Sequence, residues 1–460
     1  MTELTLSTAR GPHGALSHIP GERGLPVVGT TLRILKDPVG YTQRMFDQYG
    51  PVYRSRTFGI DQISLLGPEA NELVLFDKNK IFSSTYGWSH VLDKLFPRGL
   101  MLLDFDYHRH DRRIMQLAFK VGPMRSYVDS LNEGTRAGLR SWAQQAASGD
   151  PFEFYPAIKT LTLNLSASPF LGIPWGDDAE QINRAFVDMV QATVAVVRKP
   201  LPGTQMRKGV KGRQFMVEWF GREIPKRRGA EGGDMLTLLC NAVDDAGRGF
   251  TDQEIIDHMN FLMMAAHDTL TSSMTSMTYF LAQTPEWQQR LAEEASQNLS
   301  HGETNEPEIS YDALSDMNWT EAAFKEAMRM MPPVPSIPRF AIGDFHFAGH
   351  DIPAGTPVAI SPYFTHHMPD HWPDPERFDP MRFTDEGGQK TRHKYAWVPF
   401  SGGAHMCLGL HFAYMQAKVV FGHFLSQFEV RLPQGYTADF QVWPIPRPRD
   451  GLPVQLKMRD

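Results

Sequence analysis

A glycine-rich turn runs directly into an almost entirely apolar segment in residues 399–420, PFSGGAHMCLGLHFAYMQAKVV. Glycine adopts positive φ angles and lets other groups approach the backbone, so Gly402, Gly403 and Gly409 predict a tight turn. Residues 408–428 have the length and composition of a helix that is apolar on nearly every side, and such a helix has to be buried. The chain must therefore build a large core around this helix, with Cys407 at its head.

The composition indicates a folded protein and argues against several functional classes. Hydrophobic residues make up 42% of the chain and charged residues 21%, which is typical of globular proteins. The net charge of −6 does not favour nucleic-acid binding. The two cysteines, Cys240 and Cys407, are too few for a disulfide scaffold, and no apolar run approaches the roughly 20 residues of a membrane span. With no signal-peptide pattern at the N-terminus, we expect a soluble, cytoplasmic protein.

Helical patterns dominate from Glu69 to Met331, while short strands are predicted around residues 51–59 and 63–67. Beyond Met331 prolines become dense and exclude long helices until residue 408. In the tail, Asp450-Gly451 predicts a hairpin. The predicted fold class is therefore mainly α with a small β portion.

The chain shows no repeat and no low-complexity linker. We therefore expect a flexible N-terminus over residues 1–18 and a single domain over residues 19–460, despite the length of the chain.

The surroundings of Cys407 favour a thiolate. Backbone N–H groups of the turn and the positive end of the following helix dipole both stabilise negative charge on the sulfur. A thiolate beside a buried helix, with space cleared by Gly409 for something flat, suits an axial haem ligand. Two alternatives stay open on these residues: an inert buried cysteine, or a nucleophile paired with His405 or His411.

The spacing Phe-x-x-Gly-x-x-x-Cys-x-Gly, from Phe400 through Gly403 and Cys407 to Gly409, resembles the haem-binding signature of the cytochrome P-450 superfamily. The resemblance extends from about Ile19 to the C-terminus. In appearance the chain is nearest to the soluble bacterial-type members and to the sterol demethylase and retinoid hydroxylase branch. It implies the cytochrome P-450 fold, with haem b held by Cys407 between the oxygen-binding helix and the helix after the cysteine loop.

Further segments match the family pattern in chain order. Glu326 and Arg329 lie three residues apart on one helix face, and the resemblance makes Arg382 the third member of a buried structural ion cluster. Asp268 and Thr269 match the family's acid–alcohol pair, in which the alcohol binds dioxygen and the acid relays protons. A threonine bonded to its own helix beside a solvated aspartate is the plainer interpretation.

The resemblance also implies contacts to the haem propionates. The residues assigned to them are His108, Arg112, Arg339 and His405. Because buried carboxylates need cationic or N–H partners, these residue types suit the role. Substrate-pocket positions implied by the family are Trp88, Leu92, Phe96, Leu102, Met263, Met264, Ala265, Val334, Ile337 and Ile445.

The implied function is a haem-dependent monooxygenase that inserts one oxygen atom of O2 into a C–H bond. The pocket positions are apolar and include no cation, which favours a lipophilic terpenoid, steroid or retinoid-like substrate. Because no flavin or iron–sulfur segment is recognisable, electrons would come from a separate ferredoxin with its reductase, or from a flavodoxin-type donor. Two alternatives are a peroxygenase or isomerase that needs no electron partner, and a non-catalytic haem sensor or carrier.

Overall fold

The structure is a computed structural model, and the residues it describes are 16–26, 28–57, 59–148, 152–173, 177–195, 197–302 and 305–459. Residues 1–15, most of the predicted flexible N-terminus, lie outside this part. The division into residues 1–18 and 19–460 stays a prediction.

Most of the described chain is helical. The helices are α1 (Thr31–Lys36), α2 (Pro38–Tyr49), α3 (Pro68–Phe76), α4 (Ser84–Leu92), α5 (Phe105–Met115), α6 (Val121–Ser148), α7 (Phe154–Leu171), α8 (Asp177–Thr193), α9 (Gln205–Arg227), α10 (Met235–Asn241), α11 (Asp252–Gln283), α12 (Pro285–Asn298), α13 (Asn318–Met330), α14 (Pro362–Thr365) and α15 (Leu410–Gln427). Among the described residues, none of these helices has the length and apolarity needed to cross a bilayer.

The strands are short. They are β1 (Gly21–Glu22), β2 (Val52–Thr57), β3 (Ile60–Leu65), β4 (Phe82–Ser83), β5 (Phe152–Glu153), β6 (Ser300–His301), β7 (Pro307–Glu308), β8 (Ile337–Ala341), β9 (Phe345–Phe347), β10 (His350–Ile352), β11 (Thr356–Ile360), β12 (Phe428–Arg431), β13 (Phe440–Gln441), β14 (Arg447–Pro448) and β15 (Pro453–Met458). The prediction of a mainly α fold with a small β portion is confirmed.

The largest sheet has the order β1-β2-β3-β11-β8-β4. It joins the N-terminal hairpin β2–β3 to strands from the proline-dense region, with β11 parallel to β3 and antiparallel to β8. In this register Arg339 of β8 pairs with Val358 of β11.

The predicted tail hairpin is wrong. A turn does occur there, since Gly451 has a φ of 84°. However, β14 before it pairs with β13, whereas β15 after it pairs with β12 and β5. The turn therefore passes the chain from one sheet to another.

The long helix α11 runs through the main hydrophobic core. Its N-terminus carries a capping box in which Thr251 Oγ1 accepts a hydrogen bond from the Glu254 amide, while Glu254 Oε2 accepts one from the Thr251 amide. At 1.5 Å per residue its 32 residues extend about 48 Å. It packs against α7, α9, α13 and α15. This one helix therefore contacts helices from several parts of the chain.

Helix α15 is buried, as its composition predicts. It begins at Leu410, two residues later than expected, and its middle from Met415 to Leu425 is buried without a gap. It packs against α6, α12 and α13. The cysteine loop is thus attached to a helix whose middle is buried in the core.

Candidate active site

The cysteine loop has a backbone that only certain residues can adopt. Ser401 and Gly403 have φ angles of 61° and 59°. A Cβ on Gly403 would lie 1.9 Å from the carbonyl oxygen of Leu75, so glycine is required there. The amide of Cys407 donates to the carbonyl of Phe400 at 2.9 Å and closes the loop.

The thiol of Cys407 is subject to opposing effects. Burial raises its pKa, while a hydrogen bond from the Gly409 amide and the guanidinium of Arg112 lower it. The expected stabilisation of the thiolate is therefore present, but burial outweighs it in the protein alone. Binding to a metal ion removes the proton from a coordinating thiol, and this would complete the deprotonation.

Four predicted propionate contacts from three separate parts of the chain meet beside this loop. His108 and Arg112 lie on α5, Arg339 on β8, and His405 precedes the cysteine. The rings of His108 and His405 have their centroids 4.0 Å apart and are tilted by 36° to each other. The pKa of His405 falls to about 2 because of burial first and then of Arg339, His108 and Arg112.

The positive charge of this cluster is carried by its two guanidiniums. Arg339 is 4% exposed and donates a hydrogen bond to the carbonyl of Pro338 at 2.9 Å. Burial lowers its pKa to about 10, against the opposing effect of Asp104 and Asp77. A buried cationic cluster of this kind favours anionic groups, and two carboxylates would satisfy its N–H donors.

The space beside Cys407 suits a flat cofactor. A Cβ built on Gly409 would meet only Phe119 Cε1 within 4 Å, at 3.7 Å, so the backbone is open here. Phe400 packs edge-on against Tyr414 with centroids 5.4 Å apart, which supports the loop from behind. These features together fit haem. The thiol of Cys407 would bind the iron, the open space at Gly409 would admit the flat ring, and the buried arginines would bind the carboxylates.

The predicted acid–alcohol pair lies in the middle of α11. Thr269 Oγ1 donates to the carbonyl of Ala265 at 2.7 Å, so in this structure the hydroxyl bonds to its own helix. The partly buried Ala265 and Ala266 occupy the preceding turn, where small side chains leave room for a diatomic molecule.

Asp268 has two partners that the sequence did not reveal. Lys159 Nζ on α7 lies 3.3 Å from Asp268 Oδ1, and His267 Nδ1 lies 2.9 Å from the same oxygen. Burial works to raise the pKa of Asp268, but His267 and Lys159 outweigh it and bring that pKa down to about 2. No sequence signal could have found Lys159, which is 109 residues away. His267 stands inside the recognised motif.

The predicted ion cluster assembles around Glu326. Arg329 donates from Nε and Nη2 to the two Glu326 oxygens at 2.8 and 3.0 Å, and Arg382 Nε lies 3.2 Å from Oε1. Glu326 and Arg329 are completely buried. Arg329 also donates to the carbonyls of His366 and Pro375, which ties the proline-dense region to α13.

The predicted pocket positions divide between two hydrophobic cores. Leu92, Phe96, Leu102 and Met263 are buried in the main core. Trp88, Met264 and Ala265 are partly buried against it. Val334 and Ile337 belong to the core under the large sheet, and Ile445 is half-buried in the tail. Their role in substrate binding stays a prediction.

Comparisons with known proteins show which family and fold the chain is similar to. The profile of the family described as Cytochrome P450 matches residues 19–448. Cytochrome P450 136 of Mycobacterium tuberculosis is 34% identical over 453 residues, covering 97% of this chain and 90% of the relative. Taxane 10-beta-hydroxylase of Taxus cuspidata is 28% identical over 452 residues, covering 95% and 89%. A solved structure described as retinoic acid bound cyanobacterial CYP120A1 matches with a TM-score of 0.85 at 29% identity, covering 96% of this chain and 99% of that one.

Proposed function

Because this chain belongs to the cytochrome P450 family and is a haem-thiolate monooxygenase, we propose that it hydroxylates a retinoid-like or terpenoid lipophilic molecule. The observation that carries the substrate class is the likeness to a retinoic-acid-bound structure over nearly the whole of both chains. Hydroxylases of taxanes and of abscisic acid among the relatives support the same class.

The chemistry of the pocket positions is consistent with this substrate class. They are aliphatic, aromatic or thioether side chains, and a site of this kind grips a ligand by shape. One polar group stands out, because the indole N–H of Trp88 is buried without a hydrogen-bond partner among the described residues. It would donate to an oxygen of the substrate, as a buried donor gains from any acceptor within reach.

Each residue of the site has a role in the proposed mechanism. When bound, haem supplies the activation of O2 for attack on a C–H bond. Cys407 would hold the iron, and Arg112 and Arg339 would bind the carboxylates, with His108 and His405 donating N–H groups. The hydroxyl of Thr269 would leave the carbonyl of Ala265 and donate its hydrogen bond to dioxygen. Asp268 would pass on protons, and the apolar walls would exclude water from the reacting carbon.

We propose a separate ferredoxin-type protein as the electron donor. Around α5, Arg109 pairs with Asp106 at 2.8 Å and Arg113 with Asp245 at 3.1 Å, and all four side chains are largely exposed. Exposed pairs of this kind exchange partners at little cost. Their arginines could therefore bind an acidic partner near the Arg112 side of the site.

Reconstitution tests the proposal. The purified haem protein is titrated with all-trans-retinoic acid, a taxane and a saturated fatty acid, and the spin shift of the haem spectrum is recorded. Turnover is then measured with a plant-type ferredoxin and its reductase, with a flavodoxin, and with hydrogen peroxide alone.

We expect the largest spin shift with the retinoid or the taxane, and a hydroxylated product that requires the reductant. The Cys407→Ser variant should lose the thiolate-type CO spectrum, while Cys240→Ser, in the buried helix α10, should keep it. A preference for the fatty acid would refute the substrate class. Turnover supported only by peroxide would refute the electron donor.

A further inference from the structure

His267 occupies a position that neither the cofactor site nor the predicted pocket explains. It is 3% exposed, and its ring lies edge-on to Phe186 of α8 with centroids 5.9 Å apart. Nδ1 lies 2.9 Å from Asp268 Oδ1, although the angle is poor for a hydrogen bond. Nε2 has no hydrogen-bond partner among the described residues. A buried polar atom without a partner costs free energy, so a group to satisfy it is expected.

A small cavity adjoins this ring between α7, α8 and α11. It is lined by Leu163, Ser166, Ala167, Leu171, Asn183, Phe186, Met263 and His267. Its volume is about 10 Å³, close to the least that holds one water molecule.

Polar groups in the cavity wall could hold such a water. Ser166 Oγ donates to the Thr162 carbonyl and can still accept a hydrogen bond. Asn183 donates from Nδ2 to Asn164 Oδ1 at 3.2 Å, and both side chains of that pair are half-buried. With His267 Nε2, a water would have the two to four partners that a buried water needs. The asparagine pair connects this position toward the surface between α7 and α8.

We propose that His267 relays protons from this cavity to Asp268. A proton passes from the water to Nε2, and the proton on Nδ1 passes to Asp268 Oδ1. The water recovers its proton from further water molecules that enter from the surface, and the asparagine pair orients them without carrying a proton itself. The imidazole then turns over so that its N–H again faces Asp268, and no electrons move in these steps.

The electrostatics of Asp268 support a relay. The pKa of Asp268 is lowered to about 2 by His267 and Lys159, so the group is a carboxylate at pH 7. A carboxylate can accept a proton from a neighbour that supplies one. Imidazole can accept a proton at one nitrogen and release one from the other, which an ammonium group cannot do.

The charged groups around the pair are few. Lys159 of α7 contacts Asp268 directly. Tyr155 of α7 lies nearby, where its phenol is influenced by Lys159, Asp268 and Arg447 of β14. The residues of α8 that line the cavity, Asn183 and Phe186, carry no charge.

The test compares His267→Gln with His258→Gln. His258 is a second buried histidine of α11, with Nε2 3.0 Å from Asp111 Oδ2 and no hydrogen-bond partner on Nδ1 among the described residues. It lies nine residues before His267. Glutamine keeps polar atoms at each position but cannot relay a proton. Both variants are prepared with haem, and their CO spectra verify that the site is intact.

The first measurement is ferredoxin-supported reduction of O2 without added substrate, in H2O and in D2O between pH 6 and 9. We expect His267→Gln to slow it by about a hundredfold, the lower end of what general acid–base catalysis contributes, and to raise the solvent isotope effect. His258→Gln should match the wild type. Because no substrate is used, the result is independent of the proposed substrate class.

Two further measurements separate proton supply from structural damage. With hydrogen peroxide as the oxidant and guaiacol as the probe, the oxidant brings its own protons, so His267→Gln should equal the wild type. A crystal structure of the wild-type holoenzyme should show a water bound to Nε2 that is missing or displaced in His267→Gln. A wild-type isotope effect in the folded variant, or a dry cavity, would overturn the relay.

Discussion

The buried carboxylate Glu326 gives the sharpest test of how burial changes the strength of an ion pair. Replacing it by glutamine keeps the shape of the side chain but removes its negative charge. Two guanidiniums, those of Arg329 and Arg382, then remain without a compensating charge. The amide NH2 group of the glutamine is itself a hydrogen-bond donor, and it would face the N–H donors of the arginines.

The expected cost follows from the contacts of Glu326. Its oxygens accept hydrogen bonds from Arg329 Nε and Nη2 and from the Asp379 amide, at 2.8, 3.0 and 3.0 Å, and the side chain has no exposed surface. Breaking one partner of a buried ion pair typically costs 3–5 kcal/mol, because the other charge stays buried. We therefore expect Glu326→Gln to lose about 4 kcal/mol of stability.

The chain offers a matched control at its surface. Arg125 also binds Asp312 through two hydrogen bonds, from Nη1 and Nη2 at 3.0 and 2.6 Å, but the two side chains are 51% and 74% exposed. Asp312→Asn should leave the stability almost unchanged, since water replaces the lost contact.

The assay is urea unfolding of the haem-loaded proteins, followed by tryptophan fluorescence and by the haem spectrum. If Glu326→Gln does not yield folded protein, Arg382→Gln, whose side chain is 9% exposed, should show an intermediate loss. Equal unfolding midpoints for Glu326→Gln and Asp312→Asn would show that burial does not set the strength of these pairs, and the reasoning would fail.

Two further predictions concern α11. Thr269→Val should raise the share of reduced O2 that is released as hydrogen peroxide several-fold. Thr275→Val should not, although Thr275 makes the same 2.7 Å hydrogen bond to its own helix. Equal peroxide yields from the two variants would show that Thr269 has no role in the mechanism. Lys159→Gln should raise the pKa of Asp268. A carboxylate whose pKa is depressed from 3.8 to about 2 stabilises the fold above about pH 4 by about 2 kcal/mol and loses this as the pH falls toward 2. The Lys159→Gln variant should therefore be about 1 kcal/mol less stable at pH 7 and should lose less stability than the wild type on acidification. Thermal melts from pH 7 to 3 measure both effects. Melts equal to those of the wild type would contradict the role of Lys159.

Local patterns in the sequence predicted the elements that depend on neighbouring residues. The spacing of Glu326 and Arg329 places both on one face of a helix, because a helix turns once every 3.6 residues. The apolar composition of residues 408–428 predicted a buried helix, and α15 is buried. The cysteine signature is also a local pattern, because its glycines determine the backbone of a segment of only ten residues.

Contacts between distant residues could not be read in this way. The partners of Asp268 include Lys159, from a different helix. The last strand, β15, pairs with β12 and β5 and not with the strand before its turn. Such pairings depend on how complete elements pack, and no local spacing encodes that. The tail turn shows the limit clearly, because its glycine was recognised while its sheet partners were not.

The sequence by itself determined which side chains are available to this site: one cysteine in a glycine loop, an acid–alcohol pair on an apolar helix, and arginines at particular positions. Tertiary packing alone decided their charge states. Burial raises the pKa of Cys407, while His267 and Lys159 lower that of Asp268. The physical reason is that desolvation and charge–charge energies depend on distances through space, which are set only when the core closes.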